Sequence, residues 1–179
     1  MIICVATYMF KHIYLYMTIT HLHKRLKQTS FESSTHEVIL SLLVCADLIR
    51  NQLEKACLEF SITPNQYNIL RILNGVYPEG HARCEISSRM LEKAPDITRL
   101  IDGLVSLGYV ERCKSEQDKR LSVTKITEKG RKILQDIFPK MTETIQKLST
   151  AYTEEECRLF IQLCDKLIVL DTEFQEGIR

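Results

Sequence analysis

The sequence predicts a mainly α-helical protein with one small β-hairpin, an α+β chain whose strands are confined to a single segment. Three observations carry this. Residues 95–107 place Ile97, Leu100, Ile101, Leu104 and Leu107 on one face at 3.6 residues per turn, and Gly108 follows as a helix stop. Two strand-like runs come directly after, residues 109–114 and 121–126, with a charged loop between them. Long helical patterns flank this segment, opening near residue 34 and again near residues 127 and 153. A helix followed at once by a charged hairpin is the layout of a winged helix-turn-helix, and the flanking helices then read as N- and C-terminal dimerisation helices.

Taken in order, residues 1–20 are apolar and aromatic but interrupted by Lys11 and His12. They read as upstream translation ahead of a natural initiator at Met17, as an extra helix at a dimer interface, or as a membrane anchor. The first two readings are favoured, because a spanning helix needs about 20 mainly apolar residues. A positive leader and a small-residue cleavage site are both missing, which argues against a secretory signal. Residues 21–33 are polar and basic, a linker or helix lead-in. Ser34 and Glu37 form a capping-box pattern that opens a helix to about Leu58, with Val38, Leu42, Cys45, Ala46, Ile49, Leu53 and Ala56 on one face. Leu40, Leu43, Val44 and Leu48 widen that surface, so the helix needs more than one packing partner.

Thr63, Pro64 and Gln66 form a second capping box, opening a helix that ends between Gly75 and Gly80. Residues 83–92 predict a short helix, and Lys93 and Ala94 the turn into the helix beginning at Pro95. After the hairpin, Thr127 caps a helix to about Thr150, which Pro139 should kink or break. Thr153 and Glu156 form a third box, opening a helix with Cys157, Phe160, Ile161, Leu163, Cys164, Leu167 and Ile168 apolar. The expected organisation is an N-terminal extension over 1–33, dimerisation helices over 34–62 and 127–172, and a winged helix-turn-helix lobe over 63–126.

The formal net charge is +1, but it is unevenly spread. Residues 81–132 hold 12 Lys and Arg against 8 Asp and Glu, while residues 133–179 hold 5 against 9. The basic excess therefore falls on the hairpin segment, as a double-stranded DNA partner would require. On the polar face of the 95–107 helix, Pro95, Thr98, Arg99, Asp102 and Ser106 are the candidate DNA contacts, with Thr98 and Arg99 supplying donors. On the wing, Arg120 can enter a minor groove, Asp118 can brace it, and Lys114, Lys119 and Lys125 can meet phosphates. Arg112 can contact phosphate or pair with Asp102.

Phosphate loops, dinucleotide fingerprints, nucleophile elbows and zincin motifs are missing, so no enzyme activity and no cofactor are expected. No metal is expected either: His21 with His23, and His81 with Cys84, are too few ligands. Seven cysteines without framework spacing point to a reducing compartment, and the expected location is cytoplasmic, with no membrane partner.

Asp118 and Arg120, followed by Thr127 and Gly130, resemble the wing signature D-x-R and L-T-x-x-G of the MarR family, the multiple-antibiotic-resistance type regulators. Ile126 replaces the usual Leu. Thr98, Arg99, Asp102, Leu104, Gly108 and Arg112 are similar to the family's recognition-helix pattern, whereas Ala94 stands where a Ser or similar cap is commoner. The resemblance covers about residues 34–170. It implies a homodimer that binds a pseudo-palindromic operator, commonly a repressor released by a small ligand or oxidant. The family's ligand pocket would here draw on apolar residues of 42–53, 67–70 and 133–141, with Arg50, Asn51, Tyr67 and Asn68 as polar contacts, suiting an amphipathic or aromatic molecule. The peroxide-sensing pattern does not fit, because Cys45 lies well inside its helix and no Tyr occurs over residues 28–64. The alternative reading is a winged-helix protein-interaction module without an operator of its own.

Overall fold

A computed structural model describes residues 20–92, 96–114 and 122–177. These residues form two units, one ending at Gln52 and the other beginning at Leu53.

In the first unit, α1 (His21–Leu26) is a short helix within the segment that reads as a linker or lead-in. It forms because Leu22 is buried, and because His23 stacks edge-on against Phe31 with ring centroids 4.6 Å apart. Arg25 reaches Asp47 on the next helix at 3.3 Å. That helix, α2 (Ser34–Leu58), runs the length predicted, but its cap is one residue earlier than expected. Ser33 Oγ accepts from the His36 N–H at 3.1 Å, and Ser33 O accepts from the Glu37 N–H.

In the second unit, α3 (Pro64–Asn74) has the full capping box read from the sequence. Thr63 Oγ1 accepts from the Gln66 N–H at 3.2 Å, and Gln66 Oε1 accepts from the Thr63 N–H at 3.0 Å. A strand of two residues follows, β1 (His81–Ala82), and then α4 (Arg83–Ser88), shorter than the 83–92 expected. The next helix, α5 (Ile97–Ser106), starts later than predicted. Asp96, not the residues before it, is its N-cap, with the side chain accepting from the Arg99 N–H at 3.0 Å. The hairpin is β2 (Val110–Lys114) and β3 (Ser122–Ile126), antiparallel with Val110 opposite Ile126 and Arg112 opposite Thr124.

The predicted two-stranded wing is in fact a three-stranded sheet in the order β1-β3-β2, because His81 and Ala82 pair with Thr124 and Val123. Two residues are too few to show a strand period, so this pairing left no trace in the sequence. The last helices are α6 (Glu128–Ser149) and α7 (Glu154–Gly177). α6 runs unbroken through Pro139, correcting the expected break. Proline removes one helical hydrogen bond, but Ile137 and Met141 on either side are anchored in the core. Thr153 and Glu156 form the third capping box, and the bonds to Thr153 hold the Glu156 carboxyl below the usual carboxylate range.

One apolar core joins these elements. Ile69, Leu70 and Leu73 of α3, Ile86 of α4, Ile101 and Leu104 of α5, Val110 of β2 and Ile137 of α6 are almost fully buried. Each such side chain contributes roughly 1.5–3 kcal/mol. Cys57 packs among them, and burial pushes its thiol up to about 11, so it acts as a small hydrophobe.

The end of α5 and the start of α6 are tied together. Gly108, at φ +72°, lets α5 close with bonds from the Tyr109 N–H to Leu104 O and from the Gly108 N–H to Val105 O. Lys129 Nζ donates to Leu107 O at 2.7 Å, placing a positive charge at the helix C-terminus. Thr127 Oγ1 lies 2.8 Å from Gly108 O and accepts from the Gly130 N–H at 3.1 Å, so it caps α6 while holding the end of α5. A Cβ at Gly130 would stand 2.1 Å from Tyr109 O, a clash with backbone that cannot yield. Gly130→Ala should therefore cost about 2–3 kcal/mol, and Thr127→Val about 1–2 kcal/mol through removal of the cap. Urea melts followed by circular dichroism measure both, and a wild-type midpoint for Gly130→Ala would show that this junction is looser than described.

Candidate nucleic-acid interface

The core side of α5 fixes what its other side presents. Ile101 and Leu104 are buried, and Ile97, Leu100 and Leu107 pack partly against the core. Arg99, Asp102 and Ser106 are accordingly exposed, and Thr98 is half-buried. The Ser106 hydroxyl donates to Gly103 O at 2.7 Å, turning back onto its own helix. The exposed face is thus short and mainly polar, as the sequence phase predicts, with Val105 exposed at its edge.

Beside it stands β2. Arg112 makes an ion pair with Asp102 at 2.5 Å, the pairing that the sequence offered beside a phosphate contact. Both side chains are about half exposed, so the pair is worth at most about 1 kcal/mol of stability. Its consequence is geometric, since it links the wing strand to the exposed face of the preceding helix. Lys114 is exposed at the end of β2, and Lys125 is half-buried on β3. Pro95, Asp118, Lys119 and Arg120 lie outside the described residues.

Sequence reasoning missed Arg83. It is the first residue of α4, is exposed, and donates from Nη1 to Thr98 Oγ1 at 3.0 Å. The available signal was an arginine opening the helix that precedes the recognition helix. Lys129 was missed too; besides capping α5 it lies 5.2 Å from the centre of the Tyr109 ring. Behind this surface, Glu128 accepts from the Tyr77 hydroxyl at 2.8 Å and from Arg131 at 3.1 Å. The Tyr77 hydroxyl, followed by the Arg131 guanidinium, holds the Glu128 carboxyl below its ordinary range.

The residues expected to contact a small ligand are distributed over both units. In the first, Asn51 Nδ2 donates to Asp47 at 3.3 Å, and Arg50 is exposed on α2. In the second, Tyr67 packs partly against the core, and Asn68 Oδ1 accepts from the Leu91 N–H at 2.9 Å, bracing the segment after α4. Among the described residues Cys45, Cys57, Cys84, Cys113, Cys157 and Cys164 are free, and no group of three or more His, Cys, Asp or Glu is placed to hold a metal. Among the same residues no helix is long and apolar enough to cross a membrane; of the segment read as a candidate anchor, residues 1–20, all but Thr20 lie outside them.

Known proteins share this arrangement. The sequence model of the MarR family matches residues 62–122. The uncharacterised HTH-type transcriptional regulator YpoP of Bacillus subtilis is 34% identical over 120 residues, which is 66% of this chain and 82% of that protein. The crystal structure of a MarR transcription factor from Planctomyces limnophilus is 32% identical, with a TM-score of 0.58 over 76% of this chain and 98% of that one. The fold is also that of Staphylococcus aureus MepR in its complex with DNA, at a TM-score of 0.66 and 19% identity, covering 78% of this chain and 98% of that one. With α5 and the strand-paired wing placed as they are, this chain belongs to the MarR family and is a DNA-binding transcriptional regulator, not an enzyme.

Proposed function

We propose that this regulator is a repressor that binds a pseudo-palindromic operator as a homodimer and leaves it when a small effector binds. The observation that carries the DNA-reading part is the polar face of α5 joined to the wing by Asp102 and Arg112. A winged-helix interaction module would present apolar residues where α5 presents Thr98 and Arg99, so their polarity favours DNA over a protein partner. The basic excess over residues 81–132 agrees. In this reading Thr98 and Arg99 face base edges, Asp102 and Ser106 border them, Pro95 opens the approach, Arg112 and Lys114 support the wing, and Asp118, Lys119 and Arg120 form its tip. The chain then works in the cytoplasm, where it meets chromosomal DNA. Arg99→Ala and Arg120→Ala should each weaken operator binding, by about 1–3 kcal/mol per base interaction removed, without unfolding the protein. Gel shifts at two salt concentrations test this, and wild-type affinity in both variants would sink the assignment.

The homodimer is supported by exposed apolar surface. On α7, Leu159, Phe160, Ile161, Leu163 and Leu167 are all exposed. Separately, Leu43 is exposed on α2. Large apolar side chains left in water are a cost that a second copy relieves. We assign residues 34–62 and 127–172 to dimerisation and 63–126 to DNA reading. Deleting residues 153–179 should give monomer or aggregate with little DNA affinity. Sedimentation equilibrium reads the outcome; a truncated chain that remains a folded dimer would place the interface elsewhere.

For the effector, an amphipathic or aromatic small molecule suits the mostly apolar candidate residues read from the sequence better than a sugar or nucleotide. It can release DNA only by its differential affinity for two forms of the dimer. A thermal-shift screen of aromatic acids and lipophilic drugs, repeated with DNA, should yield a compound that stabilises the protein and loosens the complex. If every stabilising compound leaves DNA affinity unchanged, effector control is wrong.

A further inference from the structure

A cleft of about 310 Å³ lies between the end of α3 and the first half of α6, lined by Asn74, Arg131, Leu134, Gln135 and Phe138. That is the small end of the range for ligand sites. Helical spacing builds it. Arg131, Leu134, Gln135 and Phe138 stand at i, i+3, i+4 and i+7 on α6, so they share one face. Within that face two rows run side by side, Leu134 with Phe138 and Arg131 with Gln135. One row is apolar and the other polar. Asn74, the last residue of α3, adds an amide from across the cleft. Tyr67 and Asn68, read from the sequence as effector contacts, lie in the first half of the same helix and are not among the lining residues.

Two side chains at the cleft are left incomplete. Phe138 is a large aromatic residue, yet it is 65% exposed. Arg131 is held on two sides: its guanidinium lies 4.1 Å from the centre of the Tyr77 ring, and Nη1 donates to Glu128 Oε1 at 3.1 Å. The Tyr77 hydroxyl also answers Glu128, so that carboxylate does not use up the guanidinium. The Arg131 Nε–H is buried and meets no acceptor among the described residues. An unmet buried donor is a cost that an acceptor relieves. A guanidinium carries donors only, in a planar fork that matches a carboxylate. The side chain is 36% exposed, so a small rotation about its terminal torsions can turn the Nε edge into the cleft it lines. Arg131 also sits in the opening turn of α6, where the helix dipole favours an anion. We propose that this cleft binds a small aromatic carboxylate, with the carboxylate on Arg131, the ring against Leu134 and Phe138, and the amides of Asn74 and Gln135 on its polar edge. A sugar would leave the apolar row uncovered, and a purely apolar occupant would leave Arg131 unmet. Its use as an effector site rests on the effector control proposed above. The Arg131 N–H donates to Thr127 O at 2.9 Å, and Thr127 joins α6 to the end of α5. An occupant therefore acts one helical turn from the contact that seats α5.

The test uses the full-length chain with 2-naphthoate as the probe and its neutral carboxamide as the control. Fluorescence titration gives the affinity, and hydrogen–deuterium exchange at saturating probe gives the location. Protection should fall on the end of α3 and on residues 131–138. Arg131→Gln should weaken naphthoate about tenfold or more, the loss of a charge-assisted hydrogen bond. The carboxamide should bind wild type and Arg131→Gln nearly alike, a contrast that a merely structural role of Arg131 would not produce. Phe138→Ala should weaken both probes, roughly threefold to tenfold. Phe138 is exposed, so this variant should fold and decide the matter even if Arg131→Gln does not. Naphthoate that fails to bind, that binds wild type and both variants equally, or that protects residues 67–70 instead of 131–138 would overturn the inference. DNA affinity is then measured with and without naphthoate. Weakening of DNA by naphthoate and of naphthoate by DNA, by the same factor, supports the effector role. Naphthoate held in the cleft with DNA affinity unchanged leaves the site standing and sinks its effector role, so the two failures are distinct.

Discussion

The Thr127 hydroxyl is the group on which the geometry of this protein turns. It accepts from the Gly130 N–H, opening α6, and it faces Gly108 O, just past the end of α5. The Thr127 N–H donates to Tyr109 O at 3.0 Å, so the segment leaving the wing returns to the segment entering it. Gly130 follows from this, since only a residue without a Cβ lets the first turn of α6 approach Tyr109 O. Three unsatisfied ends, of α5, of the hairpin and of α6, are closed in one place. Left open to the core, their backbone groups would cost about 1–3 kcal/mol each.

The proposed base-reading role of α5 requires that the helix be held rigidly, since binding constellations tolerate displacements of about half an ångström. α5 is held from several sides. Asp96 caps its start, and the Leu104, Val105 and Leu107 carbonyls are occupied at its end. Ile101 and Leu104 anchor it from below, Arg112 grips Asp102 from the wing, and Arg83 reaches Thr98 from α4. The surface contacts add little stability individually, and the buried side chains supply most of the energy. The division is physically sensible: apolar burial fixes where the helix lies, and exposed polar pairs orient side chains on its outer face.

The C-terminal helix behaves differently. The α3–α6 core is buried, whereas α7 carries large apolar side chains into solvent along much of its length. A lone chain gains nothing from that exposure, and the surplus apolar surface is what supports the proposed homodimer. Pro139 sits inside α6 without interrupting it, because burial of Ile137 and Met141 outweighs one missing hydrogen bond.

The sequence by itself determined whatever depends on residues within about one helical turn of each other. The Thr63–Gln66 and Thr153–Glu156 boxes, the glycine stop at Gly108, the Thr127 cap and the amphipathic phase of α5 were all legible, because each bond closes locally. From them came the helices, the wing and the polar face of the candidate interface. Tertiary structure decided what depends on relative placement. His81 and Ala82 are a strand only because β3 offers them an edge at Val123 and Thr124. The cap of α2 moved to Ser33 because Ser33 and Ser34 compete for the role and the chain path chooses between them, and α5 starts after Asp96 because its carboxylate, which neither Ala94 nor Pro95 can replace, accepts from the Arg99 N–H. The pairing of Arg112 with Asp102 was one of two roles the sequence offered, and only the fold sets the two side chains side by side. The Arg83–Thr98 bond joins residues on two different helices, and no local periodicity announces a hydrogen bond whose direction is set by how those helices cross.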